Sequence, residues 1–187
     1  MDTELPVAVD PASFRRVFGH FCTGVTIVTT TDADGPAGFA CQAFTPLSLD
    51  PPLVLFCPQS TSSTWQRIRG TGLFCVNVLA EGHHELSRAF GTRGADKFAG
   101  IPWTPSPGGA PILDGALTWA ECQVSAVHPG GDHSIVVGRV LALGECGGDG
   151  PLLFFKGRYR AAAPVSPSAS LEVVDTLLAW PRHTDWI

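Results

Sequence analysis

The stretch Val25-Thr26-Ile27-Val28-Thr29-Thr30-Thr31-Asp32-Ala33-Asp34-Gly35, followed by Pro36-Ala37-Gly38-Phe39-Ala40-Cys41, reads as a strand, a turn and a second strand. Residues 25–31 are all β-branched, which favours extended backbone packed on one face. Residues 32–35 have the small, polar character of a hairpin turn. Upstream, Asp10 before Pro11 offers a helix cap and a first-turn proline, and Phe14, Val17, Phe18 and Phe21 then recur at helical spacing. A short amphipathic helix is therefore expected to begin the domain. Downstream, residues 53–57, 73–79, 116–127 and 134–144 are further strand candidates, mostly continuous apolar runs of the kind that line a closed or doubly covered core.

Between these runs, residues 64–69 and 85–90 read as short helices ended by Gly70 and Gly91, residues 101–115 as a Pro/Gly-rich loop and residues 144–150 as a hairpin turn. Many strands, few short helices and no repeated βαβ spacing predict a mainly β fold, an antiparallel barrel with peripheral helices, rather than a doubly wound parallel sheet. One domain is expected over residues 1–163. After Tyr159 the composition shifts to Ala, Pro and Ser, so residues 164–187 read as a tail with a short helix over 171–180.

Composition excludes several classes of function. Twelve basic residues against seventeen acidic ones, a net charge of -5 in 187 residues, leave no excess positive charge for a phosphate backbone, so no nucleic-acid partner is expected. No apolar run approaches the ~20 residues of a bilayer-spanning helix, and residues 1–10 carry acids where a signal peptide carries bases. No membrane association and a cytoplasmic location are expected. With 44% hydrophobic and 16% charged residues, some apolar surface should be covered by a partner subunit. Six cysteines without a CxxC pair read as small buried hydrophobes, with no disulfide. His83 and His84 are adjacent and face different ways, so both read as surface residues, and no metal site is expected.

No GxGxxG or GxxxxGK[ST] fingerprint is present, nor a G-x-S-x-G elbow. Three segments carry candidate chemistry. Gly38-Phe39-Ala40-Cys41-Gln42-Ala43 alternates small and larger residues. It suits either a wall that a flat tricyclic ring can approach or an ordinary buried strand before a proline-stiffened turn. Cys57-Pro58-Gln59-Ser60-Thr61-Ser62-Ser63-Thr64 brings five consecutive hydroxyls to a helix start. They form either an anion site that needs no basic residue or a helix cap in a solvated loop. Gly130-Gly131-Asp132-His133 presents an imidazole at a strand mouth. It is either exposed or able to orient a carboxamide or hydrogen-bond a reduced flavin.

The order of the short blocks is more informative than any one of them. Phe14-Arg15, Cys22 to Thr30, Gly38 to Phe44, Ser48-Leu49-Asp50-Pro51-Pro52, Val76-Asn77-Val78-Leu79, Asp96-Lys97-Phe98, Gly131-Asp132-His133 and Pro151 to Phe155 follow one another in a recognisable sequence. The chain resembles the short-chain flavin reductases of two-component flavin-dependent monooxygenases over about residues 12–160. The nearest likeness is to reductase partners of aromatic or steroid ring hydroxylases, whose tails also end in a pattern like Thr184-Asp185-Trp186-Ile187.

The resemblance implies a split β-barrel that binds FAD or FMN at a homodimer interface and takes hydride from NADH, NADPH being the alternative donor. Reduced flavin would pass by diffusion to a separate flavin-dependent oxygenase. It implies that Gly38, Phe39, Ala40, Cys41, Gln42 and Ala43 contact the isoalloxazine, with Ser48 in the next block also cofactor-binding. Cys57, Pro58, Gln59, Ser60, Thr61, Ser62 and Ser63 would hold the ribityl and phosphate groups, and Phe90, Lys97 and Phe98 would close the flavin site. His133 would be catalytic on the nicotinamide side with Gly131 and Asp132, and Tyr159 would lie near it. Cys41 stands where family members often have a small hydroxyl residue, so a backbone amide is the expected donor to flavin N5. The alternatives are a flavin oxidase of the same barrel, which would need a basic cluster for a substrate phosphate, and a non-enzymatic flavin- or haem-binding module.

Overall fold

The computed structural model describes residues 9–94, 96–148 and 150–162. In chain order the elements are α1 (Pro11–Phe18), β1 (Thr23–Gly24), β2 (Thr26–Asp32), β3 (Gly35–Cys41), β4 (Phe44–Leu49), β5 (Pro52–Phe56), α2 (Ser63–Thr71) and β6 (Leu73–Val78). They continue with α3 (His84–Gly91), β7 (Trp103–Pro105), β8 (Pro111–Leu113), β9 (Thr118–Gly130), β10 (His133–Glu145), β11 (Leu152–Phe155) and β12 (Arg158–Ala161). Asp10 caps α1 by accepting from the backbone N–H groups of Ala12 and Ser13 at 3.0 and 2.9 Å.

Seven strands form one antiparallel sheet in the order β3-β2-β6-β9-β10-β5-β4. Its two end strands are neighbours in sequence, joined by Gln42 and Ala43 alone. A chain spans at most about 3.6 Å per residue, so this link holds the sheet ends within about 10 Å and the sheet must roll up. β3 and β4 nevertheless do not pair, which leaves a barrel split along one seam. A three-stranded sheet, β1-β11-β12, and the β7–β8 pair lie beside it.

The alternation along β2 fills two cores. Val28 points inward with Phe56, Phe74 and Val136, and α2 closes the barrel with Trp65 and Ile68. Ile27 points outward to Leu79, Phe90, Leu113 and Leu152. Each large side chain so buried contributes about 1.5–3 kcal/mol. β8 is tied to the outer face by polar groups. Asn77 Oδ1 accepts from the Leu113 N–H at 2.8 Å, while Asn77 Nδ2 and Thr29 Oγ1 both donate to the Pro111 carbonyl, at 3.2 and 2.6 Å.

Several sequence expectations are corrected. Gly70 lies inside α2, which ends instead at Gly72 in the left-handed region (φ 70°), where its N–H bonds the Ile68 carbonyl. α3 runs through Gly91 and ends at Thr92. The 101–115 segment contains the β7–β8 pair, and Phe44–Leu49 is a strand. Prolines 46, 105 and 111 obscured both, although proline is tolerated on an edge strand or at a strand terminus. The 144–150 segment is not a hairpin turn, because it leads from β10 in the large sheet to β11 in the small one. All six cysteines are free, but Cys22 and Cys146 are exposed rather than buried. His83 is not a surface residue: it is half-buried, its ring would meet a Cβ at Gly115, and burial lowers its pKa. Among the described residues no helix is long and apolar enough to cross a membrane. The predicted helix over 171–180 and residues 184–187 lie outside the described residues.

Candidate functional site

A cavity of about 940 Å³ runs along the free edge of β3, bounded by the 57–64 loop, the end of α3 with the loop that follows it, and His133. The edge strand explains its chemistry. The Gly38 carbonyl points away from β2, where it accepts from Lys97 Nζ at 3.1 Å and Thr64 Oγ1 at 3.4 Å. Peptide groups alternate direction along a strand, so the N–H groups of Ala40 and Gln42 share that outward orientation and face the cavity unspent by the ladder. Phe39 and Cys41 turn the other way, into the barrel core. Burial pushes the Cys41 thiol up to about 12, and its Sγ sits 3.5 Å from the Ala43 carbonyl. The Cys41 carbonyl accepts from Thr26 Oγ1 on β2 at 2.8 Å, so at this position the cavity meets the flanking N–H groups of Ala40 and Gln42 rather than the thiol.

Gly38 must lack a side chain. A Cβ there would lie 2.6 Å from Phe90 Cε1 and 3.2 Å from Thr29 Cγ2. Phe90 packs edge-on against Phe98 with ring centroids 5.1 Å apart. Lys97 Nζ also donates to the Phe90 carbonyl at 2.9 Å, which knits the α3 end to the β3 edge; burial lowers its pKa.

In the hydroxyl loop only part of the polarity serves the fold. Ser62 caps α2 by accepting from the Trp65 N–H at 3.3 Å, and Thr64 bonds Gly38. Thr61 and Ser63 line the cavity with no hydrogen-bond partner for their hydroxyls among the described residues, beside the positive end of α2. The loop is zipped to the β9–β10 turn. Ser60 N–H donates to the Asp132 carbonyl, Ser134 N–H donates to the Pro58 carbonyl, and Gln59 bridges His133. His133 Nδ1 lies 2.7 Å from Asp132 Oδ1. A carboxylate only accepts, so Nδ1 carries the proton and Nε2 is the ring nitrogen left to a ligand. The same contact holds the Asp132 carboxyl below its ordinary range.

Residues 18–163 match the model of the flavin reductase like domain. The chain belongs to the flavin reductase-like family. It is 55% identical over 182 residues, 96% of this chain and 93% of the other, to the reductase subunit HsaB of a flavin-dependent monooxygenase from Rhodococcus jostii. An FMN reductase (NADH), SmoA of Agrobacterium fabrum, is 39% identical, with 83% and 88% of the two chains covered. The structure resembles the Streptomyces globisporus NADH:FAD oxidoreductase SgcE6 in complex with NAD and FAD fragments, at a TM-score of 0.78 and 36% identity, covering 88% of this chain and all of that one.

Within this family fold the structure gathers most of the residues singled out from sequence. Gly38 to Ala43, six of the seven residues of the 57–63 loop, Cys57 among them, and Phe90, Lys97, Phe98 and His133 all line the cavity; Ser60 is the loop's omission. Ser60, Gly131 and the highly exposed Asp132 carboxylate flank it without lining it, and Ser48 on β4 lies off it. Tyr159 lies in a separate hollow of about 180 Å³ with Glu81 and His84, its hydroxyl donating to Ser87 Oγ at 3.0 Å.

Sequence reasoning missed Pro36, Ala37, Arg67, residues 91–94 and Asp96. Arg67 follows Ser63 by one helical turn, a spacing that could have been noticed; Arg93 carried no signal beyond its flanking Gly91 and Gly94. The expected anion site without basic residues is corrected, since Arg67, Arg93 and Lys97 all line the cavity. Among the described residues no three of His, Cys, Asp and Glu come together as a metal site.

Proposed function

We propose that this chain uses NADH to reduce FAD or FMN and releases the reduced flavin to a separate flavin-dependent oxygenase. The observation that carries this reading is the β3 edge, where outward peptide N–H groups stand beside Gly38, Ala40 and Ala43 and a ring edge can approach closely. The residues fit a flavin in both size and donor chemistry. Flavin and nicotinamide together supply the hydride chemistry.

The chain's own residues bind and orient. The N–H groups of Ala40 and Gln42 favour negative charge on the ring edge they meet. Thr61, Ser63 and the start of α2 receive the phosphoryl end. His133, oriented by Asp132, positions the nicotinamide from the opposite loop. Family membership, the NADH-linked FMN reductase relative and the structure holding NAD and FAD fragments support both flavins and NADH. The monooxygenase reductase-subunit relative supports a separate oxygenase.

A homodimer accounts for the apolar face of α1, where Phe14 and Phe18 are 54% and 59% exposed, and for exposed Leu141 and Leu143 on β10. The cytoplasm suits free thiols and a nicotinamide supply.

Steady-state NADH and NADPH oxidation with each flavin tests the proposal. Oxidation should require added flavin and no aromatic substrate; absence of turnover with both flavins would overturn it. A membrane permeable only to small molecules, placed between reductase and oxygenase under anaerobic loading, tests diffusion. Product formation across it supports free transfer, and its loss while reduced flavin crosses requires channelling. Sedimentation tests the dimer.

A further inference from the structure

Three cations line the cavity, and two are already spent. Lys97 gives its ammonium to the carbonyls of Gly38 and Phe90. Arg67 is neutralised by a bidentate pair with Asp32 and also donates to the Gly35 carbonyl. Arg93 differs from both. Its Nη2 lies 3.4 Å from Gln59 Oε1, a long bond to a neutral amide, and among the described residues no carboxylate pairs with it. The carboxylate that lines the cavity among the described residues, Asp96, accepts from the Phe98 N–H at 3.2 Å.

The Gln59 contact also fixes where the guanidinium lies. Arg93 reaches from the loop after α3 to the loop that carries Thr61 and Ser63, and Gln59 is itself held by its bridge to His133. We propose that Arg93 is the phosphoryl-binding cation of the flavin site, exchanging its bond to Gln59 for one to the phosphomonoester of FMN or the diphosphate of FAD. This inference rests on the flavin reading above. A guanidinium–phosphate bond is charge-assisted and bidentate, roughly twice as strong as the amide bond it replaces. Because Arg93 is exposed, its contribution is screened by salt, which suits a ligand that must leave after reduction.

The test compares ligands that share the ring but not the phosphate. FMN, FAD and riboflavin are titrated by fluorescence into wild type, Arg93→Ala and Arg93→Lys, at low and high salt. In Arg93→Ala, affinity for FMN and FAD should fall roughly ten- to a hundredfold, while riboflavin binding stays at its wild-type value and shows that the ring site is folded. Arg93→Lys should recover part of the loss, and the salt dependence of FMN binding should flatten in Arg93→Ala. Equal losses for riboflavin and FMN, or FMN affinity unchanged in Arg93→Ala, would overturn the assignment while leaving the flavin reading intact. A wild-type protein that binds neither riboflavin nor FMN would overturn the flavin reading itself, and the assignment with it.

Discussion

The Thr29–Asn77 cluster beneath β8 and the cavity beside β3 are both polar, yet the chain treats them oppositely. Asn77 is fully buried and spends both ends of its amide, on Ile27, Thr29 and Pro111 carbonyl or hydroxyl oxygens and on the Leu113 N–H. Glu121 is similarly closed off by Ser106 and Gly108. In the cavity, the edge amides of β3, two hydroxyls and one guanidinium remain unspent or weakly spent. A polar group satisfied within the chain is scaffold; one left open at a concave surface is a place for a ligand.

The largest effect should come from breaking the closed side. Asn77→Ala strands the Leu113 N–H and frees β8, and is expected to lower stability by about 3 kcal/mol, roughly 10 °C in Tm, in thermal unfolding followed by circular dichroism. Gly38→Ala drives a Cβ into Phe90, which itself lines the cavity, so it should lower stability by about 1–3 kcal/mol and, by displacing Phe90, weaken flavin binding in the same protein. A Gly38→Ala protein with wild-type Tm and flavin affinity would remove the packing of Phe90 on Gly38 from the account of the site.

On the open side, effects should appear in ligand constants with the fold intact. His133→Ala is expected to raise the Michaelis constant for NADH about tenfold, from the loss of ~1–3 kcal/mol, with little change for flavin. Unchanged NADH kinetics would take His133 out of the site. Ser63→Asp adds a carboxylate beside the phosphoryl end and should weaken FMN about fivefold, leaving riboflavin unaffected, given ~1 kcal/mol for charges near the surface.

The smallest effect belongs to neither region and is expected at His83, half-buried beside Gly115. Burial lowers its folded pKa below the ordinary value of 6.5. As pH falls through 6.5 the unfolded chain takes up the proton first, so stability present above pH 6.5 declines toward the lower folded pKa. Chemical denaturation between pH 7.5 and 5.5 should show a shallow loss that His83→Gln flattens.

Much of this was legible from residues near one another in the chain. β-branched runs, the Asp10-Pro11 cap and the 32–35 turn act through local sterics and hydrogen bonds, and the ordered blocks carried the family and its chemistry. The Gly38–Ala43 and hydroxyl-loop segments were legible as candidates, and both line the cavity, because small residues and donors in short runs mark a surface that a ligand can approach. Two things were not legible. Prolines hid β4 and β7–β8, since whether a missing N–H matters depends on which strand edge it faces. Arg67 and Arg93 looked like dispersed charges, because nothing in the sequence says which cation a partner will neutralise.

The sequence by itself therefore determined a β-rich chain, its local turns and caps, and the chemical kind of ligand it serves. Only the tertiary structure decided that a two-residue link would roll seven strands into a barrel open at one seam. It also decided that the thiol of Cys41 would face the core while the N–H groups of Ala40 and Gln42 beside it face the cavity, and that of the three cations lining the cavity Arg93 alone would lack a strong partner among the described residues. Those outcomes depend on strand register and on contacts between residues tens of positions apart, where alternation turns each side chain to one face and geometry, rather than composition, assigns every hydrogen bond.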